Sequence, residues 1–203
     1  MIDIMKKKLV PIVVIVAVVV IGFLWGVGVN NKLVAEEESV SSAWSQVENV
    51  YKRRADLIPQ LVATVQGAAN YEKGTLTEVV EARAKATSVQ VDPSNLTEES
   101  VANFQKAQDN LSGALSRGLN VIVERYPELT ATQGFRDLQT QLEGTENRIA
   151  TERGRFNETV QKYNTLLRKF PNSLIASICG FDKKGYFTAP EGSEEPVQVN
   201  FDF

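Results

Sequence analysis

Between Leu9 and Asn31 the chain carries no charged side chain, and the 21 residues from Leu9 to Val29 are apolar or glycine apart from Pro11. At 1.5 Å per residue, a helix of that length covers the roughly 30 Å hydrocarbon core of a bilayer. The many valines and isoleucines would suit a strand in water. Length and the lack of any polar face select a membrane helix over a strand or a buried core helix. The pair Gly26 and Gly28 offers a rival, a cleavable signal peptide. Signal h-regions run about 7–15 apolar residues, and this run is longer, so an uncleaved anchor is expected.

Lys6, Lys7 and Lys8 precede the run, while Glu36, Glu37 and Glu38 follow it, with Lys32 between. Flanking Lys and Arg set orientation and acidic residues contribute little, so the N-terminus is expected in the cytoplasm and the body outside it, in a periplasm or at a cell surface. The expected organisation is a basic N-terminus (1–8), an anchor (9–29), a helical bundle (30–171) and an irregular tail packed on the bundle (172–203).

The whole chain holds 22 basic and 25 acidic residues; without the first eight, which include three lysines and Asp3, 19 and 24 remain, a net charge of −5. A nucleic-acid partner calls for a basic surface, so none is expected. The chain contains no histidine and one cysteine, Cys179. Zinc sites draw on Cys and His, and di-iron bundle sites on Glu-x-x-His pairs, so no metal or cofactor is expected. Ser-His-Asp and Cys-His nucleophile pairs are excluded outright, as is an internal disulfide. Cys179, between Ile178 and Gly180, reads as a small buried apolar residue.

Beyond the anchor the apolar spacing is helical. Val40, Trp44, Val47, Tyr51, Arg54, Ile58, Leu61, Val65 and Ala69 alternate steps of four and three, a heptad seam broken only by Arg54. Pro59 leaves the Ala55 carbonyl without its helical donor, and a kink is expected near Asp56–Pro59. Leu76, Val79, Val80 and Arg83 continue the spacing past Gly74 to about Thr87. Val91 to Asn95 reads as a loop. Thr97-Glu98-Glu99-Ser100 opens a second long helix with the face Val101, Phe104, Ala107, Leu111, Leu115, Leu119 and Ile122, ended by Pro127.

A third helix from about Ala131 to Lys169 carries the stripe Phe135, Leu138, Leu142, Thr145, Ile149, Phe156, Val160, Tyr163, Leu167 and Phe170. Pro171 closes it. Gly144 and Gly154 within it read as points of close helix approach, or as a notch for a partner. In the tail, Phe181, Tyr186 and Phe187 are the expected docking points. The fold class is therefore all-α: one transmembrane helix, then an antiparallel bundle of three to four long helices and an irregular C-terminal tail.

Four stretches are more specific than generic bundle sequence: Tyr51 to Pro59 (YKRRADLIP), Glu124 to Leu129 (ERYPEL), Leu142 to Ile149 (LEGTENRI), and Phe156-Asn157 with Tyr163-Asn164. In this order, with Gly180-Phe181 and Tyr186-Phe187 after them, they resemble the LemA family of membrane-anchored bacterial helical proteins over nearly the whole chain. Gln60 stands where that family usually has Asn, and Phe156 where Tyr is usual, which removes a hydroxyl. The resemblance implies an antiparallel bundle on a single span. It implies no reaction and no catalytic residues. Some members resemble accessory proteins of specialised bacterial membrane compartments.

A buried Arg must be paired, so Arg54 is expected to meet Glu146 or Glu143. Arg54, Asp56, Glu143, Glu146, Asn147 and Arg148 are expected to form either a buried polar layer that sets helix register or a charged groove that binds a partner helix or a small anion. No nucleophile, metal ligand or phosphate loop accompanies these carboxylates. The expected function is a non-catalytic scaffold or adaptor of the bacterial envelope, anchored by one span and acting through contacts with other envelope proteins. The alternatives are a self-assembling structural protein whose seams pair between copies and, remotely, an envelope enzyme with an unrecognised carboxylate site.

Overall fold

The computed structural model describes residues 2–67 and 76–189, with side chains from residue 11 onward. Among these residues the secondary structure is helical, without strands: α1 (Ile2–Gln66), α2 (Thr77–Ser88), α3 (Glu98–Arg125), α4 (Pro127–Thr130), α5 (Gln133–Arg168) and α6 (Asn172–Cys179). The apolar run and the first seam are one helix. Along residues 12–25 its large apolar side chains are exposed, and from Leu33 onward one face enters the core. The run is long and apolar enough to cross a membrane.

α1 passes through Pro59 without ending. The Ala55 carbonyl that Pro59 cannot satisfy accepts instead from Arg83 Nε at 2.7 Å. This bond also holds α2 against α1, so residues 77–88 form a separate helix lying back on the bundle rather than a continuation of the first. Ala69 and Gly74 lie outside the described residues. α2 and α3 approach closely at Gly118, where a Cβ would stand 2.8 Å from Val79 Cγ2. Thr97 caps α3 through its hydroxyl, which accepts from Ser100 N at 3.1 Å, and Asp92 shapes the preceding loop by accepting from the Ser94 amide and hydroxyl. Those bonds hold the Asp92 carboxyl below the usual carboxylate range.

α5 runs antiparallel to α1 and α3, as the pairs Arg54–Glu146 and Tyr51–Arg153 establish for α1 and Ser112–Glu146 and Asp109–Arg153 for α3. The seam residues from Val40 to Val65 are buried within one chain. The core divides in two. Near the apolar run, Leu33 to Tyr51 of α1 pack with Val101, Phe104, Ile149 to Leu167 and Phe187. At the far end, Leu57 to Val65 pack with α2, Leu111 to Ile122, Leu129 and Phe135 to Leu142. Arg54 and its partners lie between these two apolar halves.

The C-terminal region departs from the sequence reading. α5 ends at Arg168, so Phe170 is exposed instead of closing the stripe. Residues 172–179, expected to be irregular, form α6 against α1 and α5. Its length of eight residues and its serines hide it from periodicity. Cys179 is exposed, because the buried side of α6 is the one carrying Ala176. Gly180 ends α6 at φ 75°, a left-handed conformation that favours glycine, and Phe181 N donates back to Ala176 O.

Residues 181–189 then run as a non-helical strap across α3 and α5. Phe187 is buried, Phe181 partly so, and Tyr186 stays exposed. At Gly185 a Cβ would stand 2.7 Å from Glu98 Cα, so the strap can lie on the start of α3 only with glycine there.

Candidate functional site

The polar layer is built around Arg54, which the heptad spacing of α1 points into the bundle. Its side chain is 1% exposed. Nη1 donates to Glu146 Oε1 at 2.8 Å and to the Ser112 hydroxyl, and Nη2 donates to Gln108 Oε1 at 2.7 Å and Gln108 O at 3.1 Å. Gln108 in turn donates to Ala86 O at 3.2 Å, which ties α2 into the layer. The guanidinium also lies 5.0 Å from the Tyr51 ring centre. Thus α1, α2, α3 and α5 are held in one register by a single cation.

One turn nearer the apolar run is a second node. Arg153 of α5 donates to Asp109 Oδ1 at 2.6 Å and to the Tyr51 hydroxyl, and lies over the Phe187 ring. Gln105 donates to the other Asp109 oxygen at 3.2 Å. Burial raises the Tyr51 phenol to about 12, only partly offset by the neighbouring Arg153 cation. A phenol raised from 10.0 in the unfolded chain stabilises the fold fully below pH 10, and that contribution is lost as pH rises toward 12. Burial raises Tyr163 as well. Absorbance titration of the tyrosines is therefore expected to show a late phase, which Tyr51→Phe reduces. An unchanged late phase in that variant would place the Tyr51 phenol in water.

Three side-chain amides clamp the strap, each trading two hydrogen bonds with one backbone residue in the manner of a strand pair. Asn164 binds Lys184 (2.9 and 3.0 Å), Asn157 binds Phe187 (2.8 and 2.9 Å), and Gln105 binds Thr188 (2.9 and 3.0 Å). Lys184 is buried, with Nζ 2.6 Å from Glu37 Oε1 and 3.0 Å from Ser94 O.

The two nodes and the strap border an open cleft of about 380 Å³, lined among others by Asp109, Ser112, Glu146, Arg153, Gly154 and Asn157. Glu146 and Asp109 are 43% and 39% exposed, so each carboxylate meets its arginine on one side and the cleft on the other. The cleft therefore offers carboxylate acceptors whose charge is already matched by an arginine. Gly154 opens into it with nothing within 4 Å of a Cβ, and Gly144 likewise faces open space. Close helix approach does not account for either glycine.

Of the six residues singled out from sequence, Arg54 and Glu146 are brought together. Asp56, Glu143, Asn147 and Arg148 are exposed, with Glu143 held by Gln139 on its own helix face. Asp56 instead borders a second groove with Tyr51, Lys52 and Arg83. Sequence reasoning missed Gln105, Gln108, Asp109, Ser112 and Arg153. The available signal was a polar row at steps of three and four, Gln105-Gln108-Ser112, beside the apolar face of α3. Among the described residues no group of three or more His, Cys, Asp or Glu side chains is placed to hold a metal.

The model of the LemA family matches residues 43–201. Protein LemA of Metamycoplasma hominis is 24% identical over 165 residues, 81% of this chain and 71% of that protein. Magnetosome protein MamQ of Magnetospirillum gryphiswaldense is 33% identical over 91 residues, and MamQ 2 of Paramagnetospirillum magneticum 32% identical over 91. Those matches cover 45% of this chain and 33% of each MamQ protein. Neither name is that of an enzyme. The matched region takes in Arg54, Arg153, the three amide clamps and the strap, and the chain belongs to the LemA family, as a helical bundle continuous with a helix long and apolar enough to cross a membrane.

Proposed function

We propose that this protein is a non-catalytic scaffold or adaptor of the bacterial envelope, anchored by one span with its N-terminus in the cytoplasm and its bundle outside. The observation that carries this reading is α1 itself. One helix of 65 residues holds both the apolar run and the core seam, so the bundle stands on its anchor at a fixed angle and distance. The flanking lysines support the orientation. The contact surface is the cleft beside Gly154, where an empty helical position opens next to two matched ion pairs. Interchain pairing of the seams has little to offer, since Val40 to Val65 are already buried within one chain.

The test is photo-crosslinking in intact cells from the full-length protein carrying a photoreactive residue at Ala150, an exposed position lining the cleft. A heterologous envelope protein is expected as the main product, lost when Gly154→Trp fills the cleft. Because a Cβ there meets nothing within 4 Å and the cleft beyond it is open, Gly154→Trp is expected to retain the thermal stability of the parent, and Gly154→Ala to gain about 1 kcal/mol from helix propensity. A ladder of the protein with itself would favour the self-assembling alternative. Turnover by the full-length protein that Glu146→Gln abolishes without unfolding it would overturn the non-catalytic reading.

A further inference from the structure

The least expected surface lies on α6, at the end of the bundle next to the apolar run. No charged residue occurs from Phe170 to Phe181. Leu174 and Ile178 lie one turn apart on one face of α6, 55% and 79% exposed, and Phe170, just ahead of the helix, is 81% exposed. The opposite side of the helix is what packs inward: Ala176 is buried, and Ile175 Cδ1 lies 3.3 Å from where a Cβ on Gly26 would stand. Gly26 is inside the apolar run, three residues before its end at Val29. At 1.5 Å per residue, the α6 contact sits about 5 Å within the run's C-terminal boundary. Beside it, Phe23, Leu24 and Val27 of α1 are exposed, so the apolar surface of α6 continues that of the anchor.

We propose that α6, led in by Phe170, is a second membrane element. It is an interfacial helix that lays Phe170, Leu174 and Ile178 into the boundary between headgroups and acyl chains, in the leaflet at the C-terminal end of the apolar run. This inference rests on α1 being a membrane span. The depth given by the Gly26 contact matches that of helices lying in an interface, which bury their apolar face about 5–10 Å. Arg168 and Lys169, both exposed and just before Phe170, have stems long enough to follow the apolar surface while their charges reach lipid phosphates. Trp25, half-exposed on α1 one residue from Gly26, sits at the level where aromatic side chains collect in membrane proteins. The bundle then meets the bilayer at two points, the anchor and α6. A body held at two points cannot swivel about its stalk as one held by a single helix can.

The test uses the full-length chain with Cys179→Ser, carrying one new cysteine at a time at Leu24, Leu174, Ile178 or Arg148. Each is labelled with an environment-sensitive fluorophore and placed in vesicles of phosphatidylcholine and phosphatidylglycerol. All four positions are exposed, so the label adds no core strain. Labels at 24, 174 and 178 are expected to emit at shorter wavelength and to be quenched several-fold more than the label at 148 by lipids bearing a nitroxide at acyl carbon 5. Quenching at 24 but not at 174 or 178 would overturn the inference and leave the anchor standing. No quenching at 24 would remove the span on which both rest. Blue-shifted labels at 174 and 178 that lipid nitroxides do not quench would mean that another protein surface covers α6, and would likewise overturn it.

Discussion

Arg54→Ala is expected to lower the stability of the bundle by about 3–5 kcal/mol, read as a fall in thermal midpoint of about 6–20 °C for a domain of this size. A buried ion pair that loses its cation ordinarily costs that much by stranding the carboxylate. The structure assigns the cost differently. Glu146 is 43% exposed and recovers water when the arginine is removed, whereas Arg54 is 1% exposed. What is lost is the filled volume at the junction of the two apolar halves, together with the donors for Gln108 and Ser112.

Arg54→Met, which restores most of that volume, is therefore expected to cost only about 1–2 kcal/mol, from Gln108 Oε1 left without its donor. Thermal unfolding followed by circular dichroism separates the two variants. Equal losses would mean that charge pairing, not volume, dominates. A loss below about 1 kcal/mol in both would place Arg54 at the surface in solution.

Trp44→Ala is the second large effect, with an expected loss of about 3–5 kcal/mol. Trp44 is fully buried and lies edge-on to Phe104 and Phe156 at 5.0 and 5.4 Å, while Phe187 of the strap stacks on it at 5.8 Å. Truncating it therefore removes the platform for the strap as well as core volume. Tryptic cleavage after Lys184, which is buried in the intact protein, is expected to accelerate with the loss in stability. Trp44→Phe is expected to be much milder, since the indole Nε1 is buried without a hydrogen-bond partner and its removal strands nothing. A Trp44→Ala protein with unchanged melting and unchanged cleavage would show that the strap does not depend on the aromatic cluster.

The long helices were legible because their spacing alone carries the information. Val40 to Val65, Val101 to Ile122 and Phe135 to Leu167 each sustain a stripe over many turns, and those stripes lie at the core. Arg54 stood out because it occupies a seam position, and Glu146 because it lies in the same motif as the other candidates. Their union at 2.8 Å required α1 and α5 to be antiparallel with a register that neither stripe specifies alone. Asp109 and Arg153 went unnoticed because each is an ordinary surface-type residue until α3, α5 and Tyr51 converge. α6 went unnoticed because eight residues give too little periodicity to tell a helix from a tail.

By itself the sequence determined the apolar run, the all-helical class and the exclusion of histidine-based chemistry, because each follows from residue type and local spacing. Tertiary structure alone decided which charges are paired, that Gly154 faces open space, and that Phe170 and Cys179 are outside. These depend on what another segment places within a few ångströms, and no local pattern encodes that distance. The clearest case is Ala55: Pro59 announces an unmet carbonyl in the sequence, and only the fold reveals that Arg83, 28 residues along, is its donor.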